Sequence, residues 1–449
     1  MRWQNIVKRY PVSFDVLLLL VLVPAHTQLH GYDHLVVLPF LVYLLLELWH
    51  PLGQYSKLPD SFSMGRLHFL VRLGLLLVII AGATILPLRQ RLVARSSSAF
   101  DESEYLDSIS VIHDGAIQLE SALMFLSSGR NPYAESYEDT PLKHFGFIHN
   151  DTLVNPALDS FVYLPGFLAI SYPPFILAQE LDINYDQRII YLIAYILLVL
   201  IIPLLFQQPV YKLLALVLIG LNPLLTGPVI HGMNDVVVLM ALILTVWALL
   251  NKRFWLSILF MGLACILKQS AWFILPFFAA YQFGNSGRDN LKRTAAVAAI
   301  IFLILGIFFI LPFLLWDSKA FLTDVLAYPS GTIEINYPIR GYNLGIFLVG
   351  VGLIDSLFSP FPFWLLQALV GIPLLIILTR RQLRVNTLGL MLIHSGIFIL
   401  LIGFFSRFFQ DNYFGMVTVL ISLGILLDWA GQHDAQERPL SVSSEETPN

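Results

Sequence analysis

LHFLVRLGLLLVIIAGATIL, residues 67–86, carries a single formal charge, Arg72, in twenty residues. An α-helix of about that length crosses the hydrocarbon core of a bilayer. Comparable apolar runs recur at 14–27, 35–49, 189–206, 213–223, 236–250, 255–267, 271–283, 295–315, 363–378, 388–405 and 414–427. With 57% of its residues hydrophobic and 12% charged, the chain reads as an all-α polytopic membrane protein. The expected count is about 12 transmembrane helices, within a range of roughly 11–14. Two further apolar stretches, 161–178 and 344–358, are broken by Pro165, Pro173 and Pro174 and by Gly345, Gly350, Gly352 and Asp355. They read as re-entrant or interfacial segments. The first run follows Arg2, Lys8 and Arg9 as a secretory signal would, but it lacks a small-residue cleavage pattern and reads as a retained helix. Cys265 is the lone cysteine, which excludes an internal disulfide and a cysteine-based metal cluster.

Basic residues fix the orientation, because short cytoplasmic loops hold the positive charge. Twelve crossings from an inside amino terminus put Lys57, Arg66, Lys212, Lys252, Arg253, Arg288, Lys292, Arg293, Arg380, Arg381 and Arg384 inside. Arg89, Arg91 and Arg95 fall outside, in a long translocated segment that the rule exempts. The outer face then receives the acidic loop 88–160, the turn 231–235, the loop 317–343 and the turn 406–413, with Lys268 near the outer end of its helix. Polar groups distant in sequence converge on one side. The chain divides into an N-terminal transmembrane pair (1–66), a main membrane domain (67–430) and a Ser, Glu and Pro-rich tail (431–449) expected to be disordered and cytoplasmic.

The acidic loop holds eleven of the thirty carboxylates, most of which serve to solvate it. Asp114 differs, because His113-Asp114-Gly115 opens a helical pattern that ends at Gly129-Arg130-Asn131-Pro132-Tyr133. Its plain role is a helix N-cap; its chemical role is a general base at the membrane surface. The same choice faces Asn234 and Asp235 in His231-Gly232-Met233-Asn234-Asp235, which can cap a helix or bind a phosphate or a sugar hydroxyl at its start. Lys268 follows an apolar run and must snorkel or pair with an anion, and Arg72 and Arg407 pose the same question. Arg340 sits among Tyr, Asn and Gly, where it can equally bind a phosphate or do nothing specific. His394 reads as a hydrogen-bonded core residue. Metal-ligand spacing, a Walker loop and a dinucleotide fingerprint are absent from the sequence.

In order, these motifs resemble the GT-C superfamily of integral-membrane glycosyltransferases, which take sugars from polyprenyl-phosphate carriers. The resemblance runs over about 67–430. It rests on an aspartate before Gly129-Arg130-Asn131-Pro132-Tyr133, then Tyr163-Leu164-Pro165-Gly166 with Tyr172-Pro173-Pro174, Asn222-Pro223 before His231-Gly232-Met233-Asn234-Asp235, Gly262-Leu263-Ala264 leading to Lys268, and Asp411-Asn412-Tyr413-Phe414. It looks most like the polyprenyl-phosphate-mannose-dependent mannosyltransferase branch. The resemblance implies a GT-C catalytic domain with a large first extracytoplasmic loop, and a loop aspartate acting as base: Asp114, with Asp101 and Glu102 as rivals. It implies substrate binding by His231, Asn234, Asp235, Lys268, Arg340, Arg407, Asn412 and Tyr413, no metal and no cofactor. The implied partners are a polyprenyl-phosphate sugar donor, a glycan, lipid or protein acceptor and membrane lipid, with no nucleic acid. The implied location is a bacterial inner or plasma membrane, with transfer on the extracytoplasmic face. A transporter or flippase is the first competing reading; the absence of an inverted repeat and the one-sided loop argue against it. An O-antigen ligase or polymerase is the second, against which stand the loop's early position and its acidity.

Overall fold

The computed structural model describes residues 14–30, 33–49, 64–97, 112–149, 152–285, 288–333 and 337–437. Their order is α1 (Phe14–His30), α2 (Asp33–Trp49), α3 (Met64–Ser97), α4 (Asp114–Ser127), the hairpin β1 (Phe147–His149) and β2 (Thr152–Val154), α5 (Pro165–Glu180), α6 (Arg188–Ile201), α7 (Pro209–Ala215), α8 (Pro223–His231), α9 (Asp235–Leu250), α10 (Phe254–Leu267), α11 (Leu275–Asn285), α12 (Arg288–Leu305), α13 (Leu311–Leu322), β3 (Arg340–Gly341), α14 (Leu344–Gly350), α15 (Phe363–Arg384), α16 (Leu388–Phe404), β4 (Phe408–Phe409) and α17 (Asp411–Glu437). All twelve apolar runs fall on helical backbone, apart from the break at 221–222 and the last residues of two runs, Phe206 and Phe405. Five stretches are each long and apolar enough to cross a membrane: Arg66–Arg95, Arg188–Leu205, Leu291–Ser330, Phe363–Arg384 and Asp411–His433. Length and composition therefore support five crossings, or six with one bent pair, fewer than the twelve expected.

Three expectations are corrected. The run 213–223 is no continuous span: Pro209–Gly220 and Pro223–His231 meet at a bend of 48°. Asn222 accepts a hydrogen bond from the Leu224 amide at 3.0 Å, and Pro223, which has no N–H to lose, starts the second half. The outer loop does not begin at Asp317. Helical backbone runs on to Ser330 through a break at Asp317 (φ −155°, ψ 96°), whose carboxylate accepts from the Ala320 amide at 2.9 Å and restarts the helix. Finally, α17 continues to Glu437, so 431–437 are helical rather than tail.

The N-terminal pair is clamped to α3 by the charge that interrupts residues 67–86. Arg72 is fully buried, donates to Asp15 at 2.7 Å and lies over the Tyr43 ring at 4.3 Å, and the Tyr43 hydroxyl donates to the same carboxylate. Arg72 thus neither snorkels nor reaches the outer loops; it pairs within the bundle, as an intramembrane charge must.

Candidate active site

The loop helix α4 is capped by His113, not by Asp114. His113 Nδ1 accepts from the Gly115 amide at 3.0 Å, and Asp114 is the first helical residue, its own carboxylate also accepting from Gly115 at 2.7 Å. Asp114 Oδ1 lies 3.0 Å from His113 Nδ1, and both side chains are about a quarter exposed. The His113 amide donates to the His231 carbonyl at 2.7 Å, which ties the start of α4 to the end of α8. Gln118 holds the loop's return limb through the Ala157 (2.9 Å) and Ser160 (2.7 Å) carbonyls.

Beneath α4 lies an ion network. Arg95 reaches Glu120 at 2.6 Å and Asp186 at 2.8 Å, and Asp186 also takes Arg188 at 2.8 Å. Burial pushes the Asp186 carboxyl up, but the Arg188 hydrogen bonds and the Arg95 charge outweigh it and hold Asp186 below the usual carboxylate range.

Gly115 is required by contact, since a Cβ there would stand 1.8 Å from the Tyr163 hydroxyl. Gly115→Ala should therefore lower activity by about tenfold, because overpacking a filled site costs roughly 1–3 kcal/mol and displaces the neighbouring Asp114. Adding Tyr163→Phe should restore most of the loss. A steady-state assay of the two single variants and the double variant checks this; a double variant no better than Gly115→Ala would refute it.

Five expected site residues from three separate turns form one polar knot. Lys268 Nζ donates to Asn234 Oδ1 at 3.0 Å and to both Asp235 oxygens at 2.8 and 2.9 Å, Asn412 Nδ2 donates to Asp235, and Nζ sits 4.5 Å from the centre of the Tyr413 ring. Asn234 makes no side-chain cap, so capping does not explain this motif. Lys268 does not snorkel, and its charge is offset by Asp235.

Arg407 is buried and held on backbone carbonyls of Tyr337, Ser359 (3.0 Å) and Leu357 (3.3 Å), with no carboxylate partner among the described residues. Burial draws its guanidinium down to about 10, which leaves it charged at neutral pH. The parallel pair β3 and β4 sets Arg340 opposite Phe408 and so brings the second expected arginine alongside.

Two cavities meet at Asp114. The inner one, about 310 Å³, is walled largely by apolar groups including Phe273, Trp364 and Ile402, with Lys268, Arg407 and Asn412 among its polar members. A volume of that order admits a small ligand group. The outer one is more polar and holds His144, His231, Arg340 and Asp411. His113, Asp114, Met233 and Gln410 line both. His231 Nδ1 is 2.9 Å from an Arg91 nitrogen, so this imidazole is oriented by a residue near the C-terminal end of α3.

Not every expectation meets here. Asp101 and Glu102 lie outside the described residues. Sequence reading did not single out His113, the ion network, or Tyr163 and Tyr337, whose hydroxyls burial raises above their ordinary range and keeps neutral. The only sequence signal was for Tyr163, through its place in Tyr163-Leu164-Pro165-Gly166; Tyr337 was one of the unnamed tyrosines around Arg340. His394 is a core residue bonded to Gln382 at 2.9 Å, as expected.

A family model, Glycosyltransferase family 87, matches residues 161–403, more than half of the chain. The chain belongs to this family. It is thus a membrane glycosyltransferase of the GT-C type. The matched segment of family 87 takes in the His231 turn, Lys268 and Arg340; Asp114 lies before it, and Arg407, Asn412 and Tyr413 lie beyond it. No curated protein matches the chain.

Proposed function

We propose that this family 87 enzyme moves a hexose, mannose being the first candidate, from a polyprenyl-phosphate carrier to an acceptor hydroxyl, with Asp114 as base and inversion at the anomeric carbon. The observation that carries the reading is the position of Asp114 in the wall shared by an apolar and a polar cavity. The carrier lipid and its phosphate occupy the inner cavity and the acceptor enters through the outer one. Asp114 takes the acceptor's proton, the freed oxygen attacks the anomeric carbon, and polyprenyl phosphate leaves with the bonding electrons. A sugar phosphodiester carries one negative charge; Lys268 is already offset by Asp235, and Arg407 supplies the matching cation. The Asn412 carbonyl oxygen, buried and unbonded, accepts from a sugar hydroxyl. On this reading the site faces the extracytoplasmic side of a bacterial inner membrane, where a lipid-linked donor is accessible.

Purified protein in detergent, given a panel of polyprenyl-phosphate sugars, should turn over one of them. A folded preparation that turns over none would remove this reading.

A further inference from the structure

We infer that Ser270 and Tyr328 bind the carrier phosphate through their side-chain hydroxyls, an inference that rests on the donor reading above. Both residues line the inner cavity, both are more than nine-tenths buried, and neither hydroxyl has a hydrogen-bond partner. Buried hydroxyls in native proteins are nearly always bonded. Two orphans on the wall of one cavity therefore point to an occupant that accepts hydrogen bonds.

The local backbone explains how each arrives there. Lys268 is extended (φ −153°, ψ 143°), and the tight helical turn Gln269–Ile274 that follows sets Ser270 just past the Lys268 knot. Tyr328 stands in the last turn of the helical path broken at Asp317, with Gly331 (φ +76°) turning the chain away. Its ring stands perpendicular to Tyr337 at 6.2 Å, and Asp114 and Arg407 line the same cavity. A group bound there shares one cavity with the base and the cation, as the leaving phosphate would. The non-bridging oxygens of a phosphodiester accept hydrogen bonds and donate none, which suits two neutral hydroxyls. The third orphan on this wall, Asn412 Oδ1, cannot serve: with Nδ2 committed to Asp235 it only accepts, and it would oppose a phosphate oxygen.

The test uses the full chain in detergent and polyprenyl phosphate without a sugar, with the corresponding polyprenyl alcohol as control. Ser270→Ala and Tyr328→Phe should each weaken polyprenyl phosphate by about tenfold, the effect of one hydrogen bond to a charged group. Neither should weaken the alcohol. Melting temperatures without lipid should hold or rise, since no bond within the protein is lost. Variants that bind the phosphate as tightly as wild type would overturn the assignment and leave the donor reading standing; an equal loss for the alcohol would reassign both residues to lipid-chain packing. Wild type that binds no polyprenyl phosphate would bring down the donor reading, and this inference with it.

Discussion

Asp114→Asn is expected to reduce transfer by about 10²–10⁴-fold, the usual worth of a positioned base, while leaving the melting temperature unchanged. The two halves of that expectation have separate causes. Stability holds because His113, not Asp114, caps α4, and because an asparagine oxygen can still accept from the Gly115 amide as the carboxylate does. Activity falls because an amide cannot take a proton from the acceptor hydroxyl. The measurement is turnover of the donor found in the panel, beside a melt of the same preparation. A variant that loses stability in step with activity would mean that the carboxylate orders the loop. Asp101→Asn, made in parallel, should retain turnover; loss there instead would transfer the base to a segment outside the described residues.

Legibility in the sequence follows the physics of each feature. The helices were readable because apolar periodicity and turn residues are local: the pattern opening at His113-Asp114-Gly115 and closing before Gly129 became α4, residues 114–127. The knot was readable only as a roll of suspects. Asn234, Asp235, Lys268, Asn412 and Tyr413 each break an apolar stretch, which is costly unless they have partners. Which one satisfies which is a matter of packing between α9, α10 and α17, and no spacing reveals it. That gap left Lys268 between snorkelling and pairing with an anion, and Asp235 proves to be the anion. Arg407 looked like the same residue type in the same situation, yet it is held by carbonyls alone, an environment that offers its charge to a ligand. Asp317 failed differently: a carboxylate after an apolar run looks like a helix end, and here the same side chain both breaks the helix and caps its continuation. The span count differs because several apolar runs, such as Asp235–Leu250 and Phe254–Leu267, form helices of fewer than 18 residues, and because α7 and α8 meet at a bend, so length and composition alone support five or six.

Lys268→Met is the second large effect, and it should appear in stability and in activity together. Lys268 and Asp235 are 2.8 Å apart with side chains 11% and 5% exposed, so little solvent can replace the lost ammonium. Removing one member of a buried ion pair costs about 3–5 kcal/mol, because the charge left behind is neither solvated nor paired. The stranded carboxylate would keep only Asn412, and the orientation of Asn412 Oδ1 toward the inner cavity depends on that bond. A second substitution separates charge from shape. Lys268→Met with Asp235→Leu removes both ions and should recover most of the melting temperature, since apolar replacement of a buried pair is often neutral or stabilising. Turnover should not recover, because Asn412 loses the acceptor that fixes its amide. A double variant that regained both would make the knot a packing element with no part in transfer. A single variant as stable as wild type would mean that the pair is solvated after all.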